Sequence, residues 1–198
     1  PDLQAQIIAV DGKALRGSHE LLKGTVHAVS AWAADSGITL AQEFVSEKSN
    51  EITALPKLLE MLDLHGHIVT IDAMGTQTGI AGQIIEQGAD YVLALKANQG
   101  NTHKEVIDHF DFALRQLDLK RAKSWSYHCG EPEKSHGRLT TRTVLSTSML
   151  ESLDSSIRTR WSGLKSLVVV ESEGMVISTG KQRKRERRYY LSSLEATA

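Results

Sequence analysis

Two short apolar segments that each run into an aspartate are the strongest constraint on the fold of this chain. Residues 7–10 (Ile-Ile-Ala-Val) precede Asp11, and residues 68–71 (Ile-Val-Thr-Ile) precede Asp72. Short runs rich in β-branched apolar residues predict buried strands. A carboxylate at the end of a buried strand needs water, a partner or an ion to stabilise its charge. Two structural alternatives stay open, since Asp11-Gly12 is also typical of a hairpin turn and either aspartate could cap the element that follows it.

The first half of the chain predicts an α/β fold. Residues 25–32 and 38–45 alternate in polarity, and their short connections predict an antiparallel meander with the first strand. Apolar residues spaced three and four apart predict a helix over residues 52–62, with Ser49 or Asn50 as its cap, and a second helix before Gly88. Right-handed crossovers then make the strands at 68–71 and 91–95 parallel in a mixed sheet.

The pattern changes after a helix predicted over residues 103–117. Strands are predicted at residues 125–128 and 142–146, joined by a polar loop over 130–137, and three more at 164–171, 175–178 and 189–192. We therefore divide the chain into an incomplete catalytic core, residues 1–119, and a β-rich antiparallel subdomain, residues 120–198. Residues 181–188 carry six cations in eight positions. They are interpreted either as a phosphate-binding segment or as a solvated or disordered hairpin.

Composition excludes several classes of protein. The net charge of −1 gives no overall attraction to nucleic acid or membrane, so such partners depend on local patches. One cysteine excludes an intrachain disulfide and a cysteine-rich zinc site, and is typical of the reducing cytoplasm. The eight histidines show no zinc-ligand spacing, and no apolar run approaches the roughly 20 residues of a membrane span. Because the chain begins with Pro1 and stops just after a predicted strand, we expect a longer protein.

The two aspartates become a pair if the first and fourth strands are neighbours. Their carboxyl ends then meet at one edge of the sheet, where two carboxylates without a cation repel each other. Mg²⁺ or Mn²⁺ would relieve that repulsion, because these hard ions prefer oxygen ligands and complete their shell with water and phosphate. Paired ions about 3.5–4 Å apart catalyse phosphodiester displacement in many enzymes. The spacing of Asp11 and Asp72 therefore indicates a metal site for phosphoryl chemistry.

Six motifs, in order, resemble a known family. The motifs are Ile-Ala-Val-Asp-Gly-Lys-x-x-Arg-Gly-Ser (8–18), Glu-Lys-Ser-Asn-Glu-Ile (47–52), Thr-Ile-Asp-Ala-Met-Gly-Thr-Gln (70–77), Leu-Lys-Ala-Asn-Gln (95–99), His-Gly-Arg (136–138) and Tyr-Tyr-Leu-Ser-Ser-Leu (189–194). Together they are similar to the bacterial insertion-sequence transposases that include the H-repeat-associated proteins of Rhs elements. The resemblance covers nearly the whole chain.

The resemblance implies a ribonuclease-H-like fold with a β-rich insertion, and a DDE transposase that cuts and joins DNA at insertion-sequence ends. In such enzymes two aspartates and one glutamate hold two Mg²⁺ (or Mn²⁺) ions, and by the match Asp11 and Asp72 are the first two acids. The third would follow the tyrosine-rich strand, beyond Ala198, so we expect weak or no activity from these residues alone. The chain departs from the family at Thr140, where an acid is usual; the nearby Glu131 and Glu133 are not predicted to bind metal.

The resemblance also implies transposon ends and target DNA as partners, a homo-oligomer on DNA, and no membrane. Eight polar residues are candidate DNA contacts, because such side chains position nucleic-acid backbones: Lys13, Arg16, Lys96, Asn98, Gln99, His136, Arg138 and Arg142. The alternative for each is an exposed turn or loop residue without a ligand. Two other functions remain open, namely a ribonuclease-H-like structure-specific nuclease and a degenerate, non-catalytic DNA-binding relic of a transposase.

Overall fold

The computed structural model describes residues 6–14, 27–45, 51–116 and 125–196, which belong to two compact units. One unit comprises Pro1–Ala94 with Arg160–Gly163, and the other comprises Leu95–Thr159 with Leu164–Ala198. These units divide the chain at a different place from the functional boundary at residues 119/120, which stays a prediction.

The first unit is built on a mixed sheet. Its strands are β1 (Ile7–Ala14), β2 (His27–Ala33), β3 (Ile38–Val45), β4 (Ile68–Ile71) and β5 (Asp90–Leu95). They lie in the order β3-β2-β1-β4-β5, in which β1, β2 and β3 are antiparallel neighbours and β4 is parallel to both β1 and β5. This confirms the predicted α/β fold, with the ribonuclease-H-like combination of an antiparallel meander and parallel strands.

Two helices connect the parallel strands. Helix α1 (Glu51–Glu60) lies between β3 and β4, and α2 (Thr78–Glu86) lies between β4 and β5. The buried face of α1 packs against β2 and β3 through Ala54, Leu55, Leu58 and Leu59. The predicted periodicity is confirmed for the three leucines, but Ile52 is exposed and the helix ends at Glu60, before the predicted end at residue 62. The predicted cap residues Ser49 and Asn50 lie outside the described part of the chain.

Strand β1 does not end where the sequence predicted. The apolar run stops at Val10, and Asp11-Gly12 was open to interpretation as a hairpin turn. In the structure the strand continues to Ala14, and Asp11 pairs with Ser30 of β2. Because β2 offers an antiparallel partner beyond the point where β4 ends, the backbone of β1 stays extended, and the turn interpretation is wrong.

The remaining elements form an antiparallel arrangement with one long helix. They are α3 (Gly100–Gln116), β6 (Trp125–Cys129), β7 (Glu133–Ser135), β8 (Arg138–Thr147), α4 (Ser155–Arg160), β9 (Ser166–Val176) and β10 (Glu186–Ser192). The strands lie in the order β10-β9-β8-β6. Strand β7 pairs with residues 138–140 at the start of β8, on the same edge as β6. This confirms the predicted β-rich region, although the short helix α4 was not predicted.

A tight turn replaces part of the predicted polar loop at residues 130–137. His136 and Gly137 both have left-handed backbone conformations, with φ of 47° and 70°, and Ser135 pairs directly with Arg138. Two successive residues of positive φ are the signature of a type I′ hairpin turn. The His-Gly dipeptide therefore closes the hairpin of β7 and β8, which polarity alone did not reveal.

Strand β9 is continuous where the sequence predicted two strands. Gly174 interrupts the β-branched pattern, yet it pairs with Thr140 of β8. A Cβ atom at Gly174 would lie 2.2 Å from the carbonyl oxygen of Leu139, so the backbones approach each other too closely for any side chain. The glycine is thus a packing requirement within the strand, and the predicted break is wrong.

Strand alternation gives the antiparallel strands two different faces. One face carries Leu145, Val169 and Leu191, which are buried. On this side Phe110 of α3 meets the rings of Trp125 and Tyr189 at centroid distances of 5.6 and 6.0 Å. The opposite face carries the residues that alternate with these along each strand, and the ones near β7 are more polar.

Replacing Gly174 with alanine should destabilise the protein strongly. The added Cβ would overlap the Leu139 carbonyl, which is backbone and cannot rotate away, so we expect a loss of roughly 2–4 kcal/mol in the free energy of unfolding. Chemical denaturation measures the effect. Gly82→Ala is the control, since nothing lies within 4 Å of its added Cβ and helix propensity predicts a gain of up to about 1 kcal/mol. Similar effects of both substitutions would contradict the close approach.

Candidate active site

Asp11 and Asp72 occupy neighbouring positions on adjacent parallel strands. The parallel register pairs Val10 with Ile71, and each aspartate follows directly. Adjacent strands lie about 4.8 Å apart, so the two Cα atoms leave the paired region side by side. Both side chains are exposed. The structure thus brings the two acids to the same sheet edge.

Both aspartates line one small cavity of about 50 Å³. Its apolar wall comes from α1 and the two strands, through Ile52, Leu55 and Ile71. A cavity of this volume has room for small hydrated groups. The site therefore combines two negative side chains with an apolar floor.

The turn after β4 fixes the position of Asp72. The carboxylate oxygen Oδ1 accepts a hydrogen bond from the backbone N–H of Ala73 at 2.7 Å. The backbone carbonyl of Asp72 accepts from the N–H of Gly75 at 3.0 Å, which closes the turn. The fully buried Thr76 then donates its hydroxyl to the carbonyl of Ala94 at the end of β5, at 2.7 Å. The loop that carries Asp72 is therefore tied to the neighbouring strand.

Gly75 has a steric role in the same turn. A Cβ atom at this position would lie 2.5 Å from Cγ2 of Ile71 and 2.6 Å from Cδ1 of Leu55. Because these two side chains approach from β4 and from α1, the turn fits beneath the helix only without a side chain. The Met-Gly-Thr part of the 70–77 motif is thus explained by packing around Asp72.

The two carboxylates fit part of a divalent metal site. Asp11 and Asp72 supply hard oxygen donors at one cavity, the ligand type preferred by Mg²⁺ and Mn²⁺. Among the residues that the structure describes, no group of three or more His, Cys, Asp or Glu side chains is arranged to hold a metal ion. The described donor set therefore consists of two carboxylates.

The predicted DNA contacts near the amino terminus are placed only in part. Lys13 is exposed and lies two residues after Asp11 on β1, so the two side chains leave the strand on the same side. Arg16 lies outside the described residues. Lys96 and Asn98 are exposed and Gln99 is half-buried in the short 3₁₀ turn Ala97–Gln99, where the N–H of Gln99 donates to the carbonyl of Lys96.

His136, Arg138 and Arg142 are brought together at a second cavity. It has a volume of about 220 Å³ and is lined by four arginines: Arg138, Arg142, Arg183 and Arg188. We call it the arginine cleft. Thr140 lies in its wall, opposite Glu133 in the hairpin register. The run of cations at residues 181–188 does not show by itself which members line this cavity. Arg188 lies there because β10 alternates, whereas Arg183 precedes β10 and its position is given only by the structure.

An ion-pair network occupies the α3 side of the same strands. The guanidinium of Arg187 contacts Glu171 at 2.6 Å and Asp111 of α3 at 2.7 Å. Partial burial alone would lower the pKa of Arg187, but the hydrogen bond and charge of Glu171 outweigh it, so the pKa is raised above its ordinary value. Arg187 therefore remains charged, and it joins α3 to β9 and β10.

The sequence places the chain in a family of DNA-mobilising enzymes. Residues 2–162 match the family described as Transposase DDE domain, so the chain belongs to that family. Transposases of this family use divalent metal ions in their chemistry.

Curated relatives carry names from the same family. “H repeat-associated putative transposase YhhI” of Escherichia coli K12 is 38% identical over 195 residues, which cover 97% of this chain and 50% of the relative. “Putative transposase YncI” of Escherichia coli O157:H7 is 39% identical over 203 residues, which cover 98% and 48%. The chain thus spans about half the length of the curated relatives it matches.

A solved structure similar to this chain is the piggyBac transposase synaptic complex with hairpin DNA. It aligns with 99% of this chain and 34% of its own, at a TM-score of 0.44 and 10% sequence identity. Separately, none of the helices in the described part of the chain is long and apolar enough to cross a membrane.

Removing the hydroxyl of Thr76 should loosen the Asp72 turn. Thr76→Val keeps the volume but leaves the carbonyl of Ala94 without this buried donor, so we expect a loss of about 1–3 kcal/mol in unfolding free energy. Thr76→Ser is the control, because it keeps the hydroxyl and removes only a methyl group. Denaturant titration of both variants measures the difference. A valine variant no less stable than the serine variant would show that the hydrogen bond does not hold the turn.

Proposed function

We propose that this chain is the catalytic part of a transposase that cuts DNA at insertion-sequence ends and transfers the freed strand to a target in a metal-dependent reaction. One observation carries the proposal. In a chain of the DDE domain family, Asp11 and Asp72 follow paired positions on adjacent parallel strands and line one cavity.

Asp11 and Asp72 would hold Mg²⁺ or Mn²⁺, with two ions in the complete site. Such ions, when bound, activate the attacking oxygen and stabilise the charge on the leaving oxygen of a phosphodiester. A third carboxylate is proposed to complete the site. The two aspartates also set where the scissile phosphate sits, because a phosphate approaches two carboxylates only through shared cations.

The other residues position the substrate. The turn at residues 72–76 holds the Asp72 carboxylate in place before DNA arrives, which reduces the reorganisation needed for the reaction. Lys13, on the same side of β1 as Asp11, is proposed to contact the phosphate next to the scissile bond. Arg16 is proposed to act with it. Polar residues after β5 are proposed as further DNA contacts: Lys96, Asn98 and Gln99.

The organisation of the whole protein is proposed from the same family. Residues 1–119 would belong to the catalytic core and residues 120–198 to an insertion that engages DNA. The protein would act in the cytoplasm as a homo-oligomer that holds transposon ends and target DNA together.

Metal binding is tested by thermal unfolding with and without Mn²⁺. An ion held by both aspartates stabilises the folded state by about 2.7 kcal/mol at a concentration 100 times its Kd. We expect Mn²⁺ to raise the Tm of the wild type and to have little effect on Asp72→Asn. Asp35→Asn removes an exposed turn acid away from the cavity and should respond like the wild type. Equal shifts for Asp72→Asn and the wild type would rule out metal binding at Asp72.

Catalysis is tested with the full-length protein, Mg²⁺ and DNA that carries the ends of its own element. We expect nicking at the terminus followed by strand transfer, and a loss of at least about 100-fold in Asp11→Asn and Asp72→Asn. Asp35→Asn should keep full activity. Nicking without strand transfer would favour the structure-specific nuclease, and binding without nicking would favour the catalytically inactive relic.

A further inference from the structure

The arginines near the carboxyl end fall into two groups according to the side of the sheet on which they lie. Arg185 and Arg187 point to the α3 side, where they pair with Glu171, Glu173 and Asp111. Arg183 and Arg188 line the arginine cleft on the other side. Acids of the protein pair with both arginines of the first group, whereas the second group lines a cavity that an external ligand can reach.

Strand β8 supplies the other half of the cleft. Arg138, Thr140 and Arg142 are spaced by two, so they leave β8 on one face. The register places Arg142 opposite Ser172 of β9, and Ser172 opposite Glu186 of β10. This row joins the β8 arginines and Arg188 on a common face. Residues 46 positions apart in sequence, Arg142 and Arg188, therefore build one cationic surface.

Two of the four arginines are already paired with carboxylates. Arg142 contacts Glu133 at 2.5 Å, and Arg188 contacts Glu186 at 2.9 Å. Both pairs are exposed, with 48% to 64% of the side chain accessible in the first, so each contributes little to stability and separates readily. Arg138 and Arg183 form no ion pair within the described residues.

We propose that the arginine cleft binds the phosphodiester backbone of DNA, and that Glu133 and Glu186 are internal competitors which occupy Arg142 and Arg188 until phosphates displace them. This inference rests on the proposed function in one respect only, namely that DNA is the ligand. It assigns the contact to a cleft outside the metal site and adds two acids that oppose binding.

The chemistry of the cleft favours backbone phosphates. An arginine guanidinium can donate two parallel hydrogen bonds to two oxygens of a phosphate. A carboxylate offers two oxygens in a similar arrangement, which explains why glutamates pair with Arg142 and Arg188 in the free protein. Among the described residues, the lining includes no Phe, Tyr or Trp on which a base could stack. At about 220 Å³ the cleft has room for a hydrated phosphate group, and the strands around it leave it open to a long ligand.

The affinity of the full-length protein for a fluorescein-labelled random-sequence DNA duplex tests the cleft directly. Binding is followed by anisotropy over a range of salt concentrations, in EDTA, so that no metal site contributes. We expect Arg138→Gln and Arg183→Gln each to weaken binding roughly three- to tenfold and to reduce the salt slope by about one unit. Arg158→Gln removes an exposed arginine of α4 outside the cleft and should change the affinity less than twofold. Losses equal to that of the control would overturn the proposal.

The competitor acids give a test that misfolding cannot imitate. Glu133→Gln and Glu186→Gln should raise the affinity for the duplex roughly two- to fivefold, because Arg142 and Arg188 are then free to meet phosphate. Glu151→Gln removes the same charge at an exposed position outside the cleft and controls for net charge. No gain beyond that control would overturn the role of the acids. Binding of inorganic phosphate at millimolar concentration, measured by calorimetry, together with no binding of the duplex would indicate a free-phosphate site and overturn the DNA assignment.

The two proposals fail in distinguishable ways. Repeating the EDTA measurement in the Asp72→Asn background separates them, since the cleft contains no residue of the metal site. Normal cleft-dependent binding without nicking by the wild type would overturn the catalytic proposal alone. Nicking with no effect of the cleft arginines on DNA affinity would overturn the cleft alone.

Discussion

The parallel pairing of β1 with β4 is the constraint on which the candidate site depends. Hydrogen-bonded register leaves no freedom in where a strand's next residue lies, so pairing Val10 with Ile71 forces Asp11 and Asp72 together. The buried β-branched residues before each aspartate provide the burial that holds the two strands together. The stability of the sheet thus fixes where the two carboxylates lie.

In the antiparallel strands, the alternation of side chains along β10 gives neighbouring residues different roles. Because side chains alternate, one run of cations supplies both an internal network and an external surface, without any change of composition along it. Arg187 holds α3 against β9 and β10, whereas Arg188 lies in the arginine cleft. Sequence neighbours therefore have unrelated roles, and the net charge of the run says little about the charge that a ligand would meet.

Local patterns predicted the elements of this fold better than their extents. The β-branched runs before Asp11 and Asp72, and the spacing of Leu55, Leu58 and Leu59, carried enough information for the sheet and α1. The continuation of β1 past Asp11 depended on β2, and the continuity of β9 through Gly174 depended on the backbone of β8. The arginine cleft could not be predicted from the sequence, because it depends on the register of β8, β9 and β10, and no local sequence pattern determines that register. Residues 72–76 belong to a sequence motif, but the need for glycine at position 75 follows from the packing of α1 against the turn, which the sequence does not show.

The short strand β7 has a consequence for how the protein moves. Its three residues are all exposed, and among the described strands it pairs with β8 alone. Its turn places the non-glycine His136 in a left-handed conformation that costs of order 1 kcal/mol. An element with little burial and a strained turn opens at a free energy below that of global unfolding. Glu133 is therefore carried on a strand whose local opening would release Arg142 while the core of the unit stays folded.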